Sequence, residues 1–282
     1  MEGQGISAIK NIWKRKARIW QLHRRDIGFL AIRINIGGLS SDAFSHIMAV
    51  KRPPLVNNEI YHIILHGVGD TQIFQDDPDY YRGIFSIYEF NTTKPIEIRL
   101  QRGKRQTTKK HGGQTPDIRD RLVDVLAFCL MPNHIHLLIK QLKDNGITKF
   151  MKKVGTGYAS YFNKKHIRKG HLFRGRFQAV RVKDDNQLRI VFAYIHSNPI
   201  SLIEPNWKEN GIKNFKKSIK FLECYKWSSY LDYIGEKAFP SVTNRDLIIE
   251  TLNSVDGCRE FINDTWIKYR GKIKEFSDVC LE

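Results

Sequence analysis

His134 and His136 stand two residues apart, a spacing that matters if the chain between them is a strand. Side chains on a strand alternate between faces, so both imidazoles point one way and Ile135 the other. Two imidazoles on one face of a sheet make half of a metal site. A second spacing lies further on, where Asn198 follows Tyr194 by four residues and precedes Pro199. On a helix those two side chains sit one turn apart on the same flank. Each feature has a simpler explanation. The histidines could be merely hydrogen-bonded, Tyr194 a packing tyrosine at a helix edge, and Asn198 a cap before the proline.

The flanking residues predict the elements that would hold these groups. Residues 122–129 are almost wholly apolar, Met131-Pro132-Asn133 is turn chemistry, and residues 137–139 are apolar again, which predicts a hairpin with the histidines at its turn. Upstream, residues 59–66 read as a strand with Tyr61, Ile63 and Leu65 on one face. Asp77-Pro78 opens a helix as cap and first-turn proline, with Tyr81, Ile84, Phe85 and Tyr88 as its apolar stripe. Residues 94–100 predict a short strand and residues 101–120 a basic loop. Residues 148–165 predict a second helix, weakened by Gly155 and Gly157, and residues 177–183 another strand. Asp184-Asp185 caps a third helix with the stripe Leu188, Val191, Phe192 and Ile195, which ends at Asn198 because a residue before proline is pushed out of the helical region. The order strand, helix, two strands, helix, strand, helix predicts an α+β, ferredoxin-like antiparallel sheet with helices packed on one face.

Charge identifies the partner class. The chain of 282 residues carries a formal net charge of +18, which suits a polyanion. Residues 149–183 hold eleven Lys or Arg and no Asp or Glu, with Tyr158, Tyr161, Phe162, Phe173 and Phe177 among them. Cations that track phosphates and rings that stack on bases suit a single strand of nucleic acid. Ile147, Phe150, Met151, Val154, Tyr158, Tyr161 and Phe162 also fall at helical spacing, so those aromatics belong to a core and the lysines are the informative half. Lys149, Lys152, Lys153, Lys164, Lys165, Arg174 and Arg176 are the candidate DNA contacts.

Cys129, Cys224, Cys258 and Cys280 are far apart and form no C-x-x-C pair, so neither a disulfide framework nor a zinc knuckle is expected, and a reducing cytoplasm beside the nucleoid fits. No apolar run approaches the ~20 residues of a membrane span. Residues 1–54 form a basic extension with ten Lys or Arg and three acids. It reads as a DNA-binding arm, a disordered tail or the result of a misplaced start, since residues 48–54 resemble a natural protein beginning. Residues 55–205 are expected to form the main α+β domain and residues 206–282 a helical extension.

Several phrases, in order, resemble the HUH single-strand DNA transposases that use one tyrosine. The nearest likeness is to the REP-associated tyrosine transposases and their insertion-sequence relatives. The phrases are Tyr61-His62 followed by Gly67, the run from Ala127 to His136, Tyr161-Phe162-Asn163, the run from Gly170 to Phe177, Tyr194-Ile195-His196-Ser197-Asn198-Pro199, and Tyr225-Lys226-Trp227-Ser228-Ser229-Tyr230. His66 departs from the arginine many relatives carry before the glycine, and the loop at 101–120 is long. The resemblance implies metal-dependent cleavage and rejoining of single-stranded DNA through a 5′-phosphotyrosine, with Tyr194 as nucleophile. It also implies that His134, His136 and Asn198 hold a divalent cation, Mg²⁺ or Mn²⁺. The partner is then hairpin-containing single-stranded DNA, and the protein a monomer or a homodimer. The remaining histidines, His62, His66, His166, His171 and His196, read as structural or DNA-facing.

Two other classes compete. A non-catalytic DNA-binding protein derived from a transposase would keep the basic surface and lose the chemistry, yet every expected catalytic residue is present. A metal hydrolase built on His-x-His needs further ligands just after the pair, where Leu138 and Ile139 stand.

Overall fold

A computed structural model describes residues 53–69, 71–96, 119–266 and 279–281. The basic N-terminal extension, the far end of the expected strand at 94–100 and nearly all of the loop at 101–120 lie outside the described residues. Four strands form one sheet: β1 (Ile60–His66), β2 (Val123–Met131), β3 (His134–Gln141) and β4 (Gln178–Val182), in the order β2-β3-β1-β4. Every pairing is antiparallel. Helix α1 (Asp77–Glu89) connects β1 to β2, and α2 (Gly146–Lys165) connects β3 to β4. This is the βαββαβ, ferredoxin-like α+β arrangement that the element order predicts.

The helices divide between the two faces, whereas the element order suggests one covered face. Gly155 of α2 packs toward Leu65, and Tyr158 of α2 packs against Phe74, so α1 and α2 cover the face of Tyr61, Ile63 and Leu65. The third helix, α3 (Asp185–Ser197), covers the other face, where the Tyr194 ring stands edge-on to His62 and His136. A sheet covered on both sides explains why β1, β2 and β3 read as nearly continuous apolar runs instead of alternating ones.

Local details correct three expectations. The cap of α1 is Asp76, whose carboxylate accepts from the Asp79 N–H, and Asp77 is the first helical residue. The buried stripe of α1 is Tyr80, Ile84 and Ile87, whereas Tyr81 is exposed. Tyr80 stacks between Phe74 and Trp227, which sets that rotation. Gly157 does not weaken α2. A Cβ there would lie 2.3 Å from the Phe90 ring, so the glycine lets α2 approach the chain that follows α1. Past α3 the chain continues into a 3₁₀ turn (Asn198–Leu202) and a short helix α4 (Trp207–Asn210). Tyr225-Lys226-Trp227-Ser228-Ser229-Tyr230 then lines the edge of β2: Leu130 N–H donates to Trp227 O, and Phe128 N–H to Ser229 Oγ. An edge strand is thereby covered.

Candidate active site

Pairing within the sheet brings four histidines onto one face. His66 lies opposite His134, Ile64 opposite His136 and His62 opposite Leu138. Residues paired across strands share a face, so His62, His66, His134 and His136 all point toward α3. Ring centroids step from His66 to His134 at 5.1 Å, to His136 at 4.7 Å and to His62 at 5.3 Å.

Hydrogen bonds fix which ring nitrogen carries each proton. The Val279 carbonyl lies 2.7 Å from His62 Nδ1. A carbonyl only accepts, so that nitrogen bears the hydrogen and His62 Nε2 has the lone pair. The Leu281 N–H also faces Nδ1, at 3.4 Å, and the shorter contact decides. His62 Nε2 then accepts from His136 Nδ1–H at 3.1 Å, leaving the lone pair of His136 on Nε2, which is buried and has no partner. His134 Nδ1 donates to the Asn133 side-chain oxygen at 2.7 Å, which puts its lone pair on Nε2 as well. Second residues that set a ligand's tautomer in this way are usual around bound metals.

The rings are held neutral. Burial pushes His62 down to about 4 and His134 down to about 3, and in His134 the charges of His66, Lys208 and His62 add to the effect. His136 is pushed well below its ordinary value, again mainly by burial. These groups bind a proton in the unfolded chain near pH 6.5 that the folded chain refuses. Stability is therefore full above about pH 6.5 and is lost as pH falls toward 4, by about 1.4 kcal/mol per unit for each such histidine. The melting temperature of metal-free protein should fall steadily between pH 7 and pH 5. A flat profile over that range would show that water reaches these rings.

Tyr194 and Asn198 complete the site. Tyr194 is 1% exposed, and its hydroxyl donates to the Leu281 carbonyl at 2.9 Å. Asn198, also buried, donates from Nδ2 to the Tyr194 carbonyl at 2.9 Å. Lys208 of α4 donates to both residues: to Tyr194 Oη at 3.2 Å and to Asn198 Oδ1 at 3.1 Å. Residues 279–281 thus lie over the tyrosine oxygen and on His62, with Val279 and Cys280 buried.

The chemistry of the donor set suits a divalent cation. Two neutral imidazoles present Nε2 lone pairs, one of them an orphan, and Asn198 adds an amide oxygen that Lys208 holds in this structure. Among the described residues no group of three or more His, Cys, Asp or Glu is arranged for a metal. The amide would therefore be the third protein donor.

The structure brings Tyr194, Asn198, His134 and His136 together, but it does not bring the basic residues to them as one wall. Helix α2 covers the opposite face of the sheet, because its stripe Ile147, Phe150, Met151, Val154, Tyr158 and Phe162 is buried there. Lys149, Lys152 and Lys164 are exposed on that helix. Lys153 donates to the Lys94 carbonyl at 2.9 Å, and Lys165 pairs with Asp79 at 2.7 Å and with Asp76, so both are engaged within the protein. Arg174 and Arg176 are placed differently. Their loop is bonded to the end of β1, with Arg174 N–H donating to the His66 carbonyl at 2.8 Å. Both side chains are exposed. His196 turns away and bonds Ser229 Oγ at 2.8 Å.

Residue-level reading missed His62 and Lys208. His62 had a signal: it alternates with Ile63 on a strand, as His134 does with Ile135. Lys208 had none, since it stands 14 residues beyond Tyr194, with no periodic element joining the two.

The family model described as "Transposase IS200 like" matches residues 116–198. That span contains the histidine pair and ends on Asn198. No curated protein matches the chain. A solved structure titled "Structure of the REP associates tyrosine transposase bound to a REP hairpin" is similar at 13% identity and a TM-score of 0.40, covering 71% of this chain and 93% of that one. Among the described residues no helix is long and apolar enough to cross a membrane.

Proposed function

From a chain with an IS200-like transposase segment at residues 116–198, we propose a metal-dependent endonuclease and strand transferase for single-stranded DNA. The observation that carries this reading is the packing of Tyr194 against His136, whose buried Nε2 has no partner and whose ring lies 4.7 Å from that of His134. Tyr194 Oη attacks the phosphorus, the P–O3′ bond breaks, and a 5′-phosphotyrosine and a free 3′-OH result. The hydrogen lost by the phenol is matched by the one the 3′-oxygen gains. Reversal rejoins strands without an external energy source, since one phosphodiester replaces another.

His134, His136 and Asn198 would hold the cation, Mg²⁺ or Mn²⁺. A divalent ion there supplies charge stabilisation for the phosphate oxygens. His62 and Asn133 keep the two ligand imidazoles in the tautomers that offer Nε2. Incubation with hairpin-containing single strands and Mn²⁺ should give a covalent protein–DNA adduct. His134→Ala with His136→Ala should remove it, and Asn198→Ala should weaken it less, because a neutral amide oxygen is the weakest of the three donors. An undiminished adduct from the double histidine variant in chelator would disprove metal dependence.

Arg174 and Arg176 would hold phosphates, a reading supported by their exposure and by the backbone bond that ties Arg174 to the end of β1. Changing both to Glu should weaken single-strand binding across sequences and lower its salt slope by ~0.7 for each phosphate that is no longer neutralised. Changing Lys152 and Lys164 to Glu, on the far face, should leave adduct formation unchanged. The opposite ranking in a salt titration would place the strand along α2.

The alternative is a non-catalytic, DNA-binding derivative of a transposase. It predicts binding of the same strands with no adduct under any metal.

A further inference from the structure

Lys208 lies outside the segment that matches the family and outside both spacings that define the site. It is the second residue of α4, directly after Trp207, which is buried and anchors the helix. Its ammonium is shared between two oxygens from residues one helical turn apart, Tyr194 Oη at 3.2 Å and Asn198 Oδ1 at 3.1 Å. It also lies 4.7 Å from the centre of the Tyr194 ring. A cation among imidazoles that await another cation is an unfavourable placement. It makes sense where negative charge develops during reaction.

The geometry points to Lys208 as a catalytic residue of the tyrosine step: it holds Tyr194 Oη by a donated hydrogen bond and stabilises the negative charge on that oxygen as it attacks phosphorus and as it departs on rejoining. This rests on Tyr194 being the nucleophile. The two hydrogen bonds of the hydroxyl differ in direction, and that difference is decisive. The bond from Oη to the Leu281 carbonyl uses the phenolic hydrogen and disappears with it. The bond from Lys208 is received by the oxygen and strengthens as charge builds there. Lys208 itself neither gains nor loses a proton. If Asn198 turns its oxygen to a cation held by the two histidines, Lys208 keeps its bond to Tyr194.

The test compares wild type with Lys208→Gln and Lys208→Arg. Single-turnover adduct formation is followed with hairpin-containing single strands and Mn²⁺, alongside strand affinity and melting temperature. A second readout needs neither metal nor DNA: the ¹³Cζ resonance of Tyr194 in tyrosine-labelled protein, identified by its absence in Tyr194→Phe. Lys208→Gln should slow adduct formation roughly 100-fold or more, the usual loss for a donor at a reacting oxygen, with strand affinity unchanged. Lys208→Arg should recover to within roughly tenfold, because it restores a charged donor. The Tyr194 Cζ resonance should move in the Gln variant and stay near its wild-type position in the Arg variant.

Wild-type rates in Lys208→Gln would overturn the assignment while leaving Tyr194 as nucleophile. So would equal losses in both variants that follow melting temperature, with the Cζ resonance unmoved. If Gln prevents folding, the Arg variant alone decides: a normal Cζ resonance and near-normal rate support the charged donor, and an abolished rate in folded protein overturns it. No adduct from wild type under any metal would fell the tyrosine reading, and the role of Lys208 with it.

Discussion

Tyr194→Phe is expected to reduce covalent adduct formation to background, a loss of roughly 10⁴-fold or more, because it deletes the one oxygen that the reaction bonds to phosphorus. The same oxygen also holds structure. It donates to the Leu281 carbonyl and accepts from Lys208, and each such bond contributes about 1 kcal/mol net. The variant should therefore be slightly less stable while keeping its fold and its affinity for single strands. The ring itself remains, so the edge-on packing against His62 and His136 survives. Gel analysis of protein–DNA adducts beside a melting curve separates the two effects. A surviving adduct, mapped by peptide mass to another tyrosine such as Tyr158 or Tyr161, would reassign the nucleophile. Tyr158 is the weaker candidate on geometry, because its hydroxyl is buried on the far face and donates to the Ile73 carbonyl.

Deleting residues 279–282 is expected to speed adduct formation by roughly 10- to 100-fold. In this structure a phosphate cannot reach Tyr194 Oη while the Leu281 carbonyl occupies it and the residue is 1% exposed. The described tail residues are held by two strong bonds, Val279 O to His62 and Tyr194 Oη to Leu281 O, and by burial of Val279 and Cys280. Two hydrogen bonds contribute about 2 kcal/mol together. That amount alone would leave the uncovered state at a few per cent, so removing the cover multiplies the competent fraction by roughly 30. Deletion also exposes Tyr194 and should lower the melting temperature. It frees His62 Nδ1 as well, so the metal dependence of the truncated protein should be compared with that of the full chain. Slower adduct formation by a truncated protein that remains folded would mean that the tail helps to build the site.

Much of the arrangement was legible along the chain. The hairpin at His134 and His136 could be read from two apolar runs around Pro132-Asn133, because turn chemistry and strand alternation are local. The N-cap of α3 could be read from Asp184, whereas Asn198 keeps helical angles before Pro199 and the chain runs on into the 3₁₀ turn. The rotation of α1 could not be read. Tyr80 and Tyr81 are equally apolar neighbours, and tertiary packing decides between them: Tyr80 stacks on both Phe74 and Trp227, while Tyr81 meets Trp227 only edge-on.

The amino-acid sequence by itself determined which chemistry is available: a same-face histidine pair, a tyrosine and an amide one turn apart, and a net positive charge. Those properties depend on residue type and on local backbone period, and both are written in order along the chain. The tertiary structure decided where that chemistry is applied and what surrounds it. It put α3 and α2 on opposite faces of the sheet, so Tyr194 meets the histidines while the lysines of α2 do not. It also brought His62, Lys208 and residues 279–281 to the same oxygen and imidazoles. Such contacts join residues separated by tens to hundreds of positions, and their physical cause is burial of shared apolar surface, which has no local period to read.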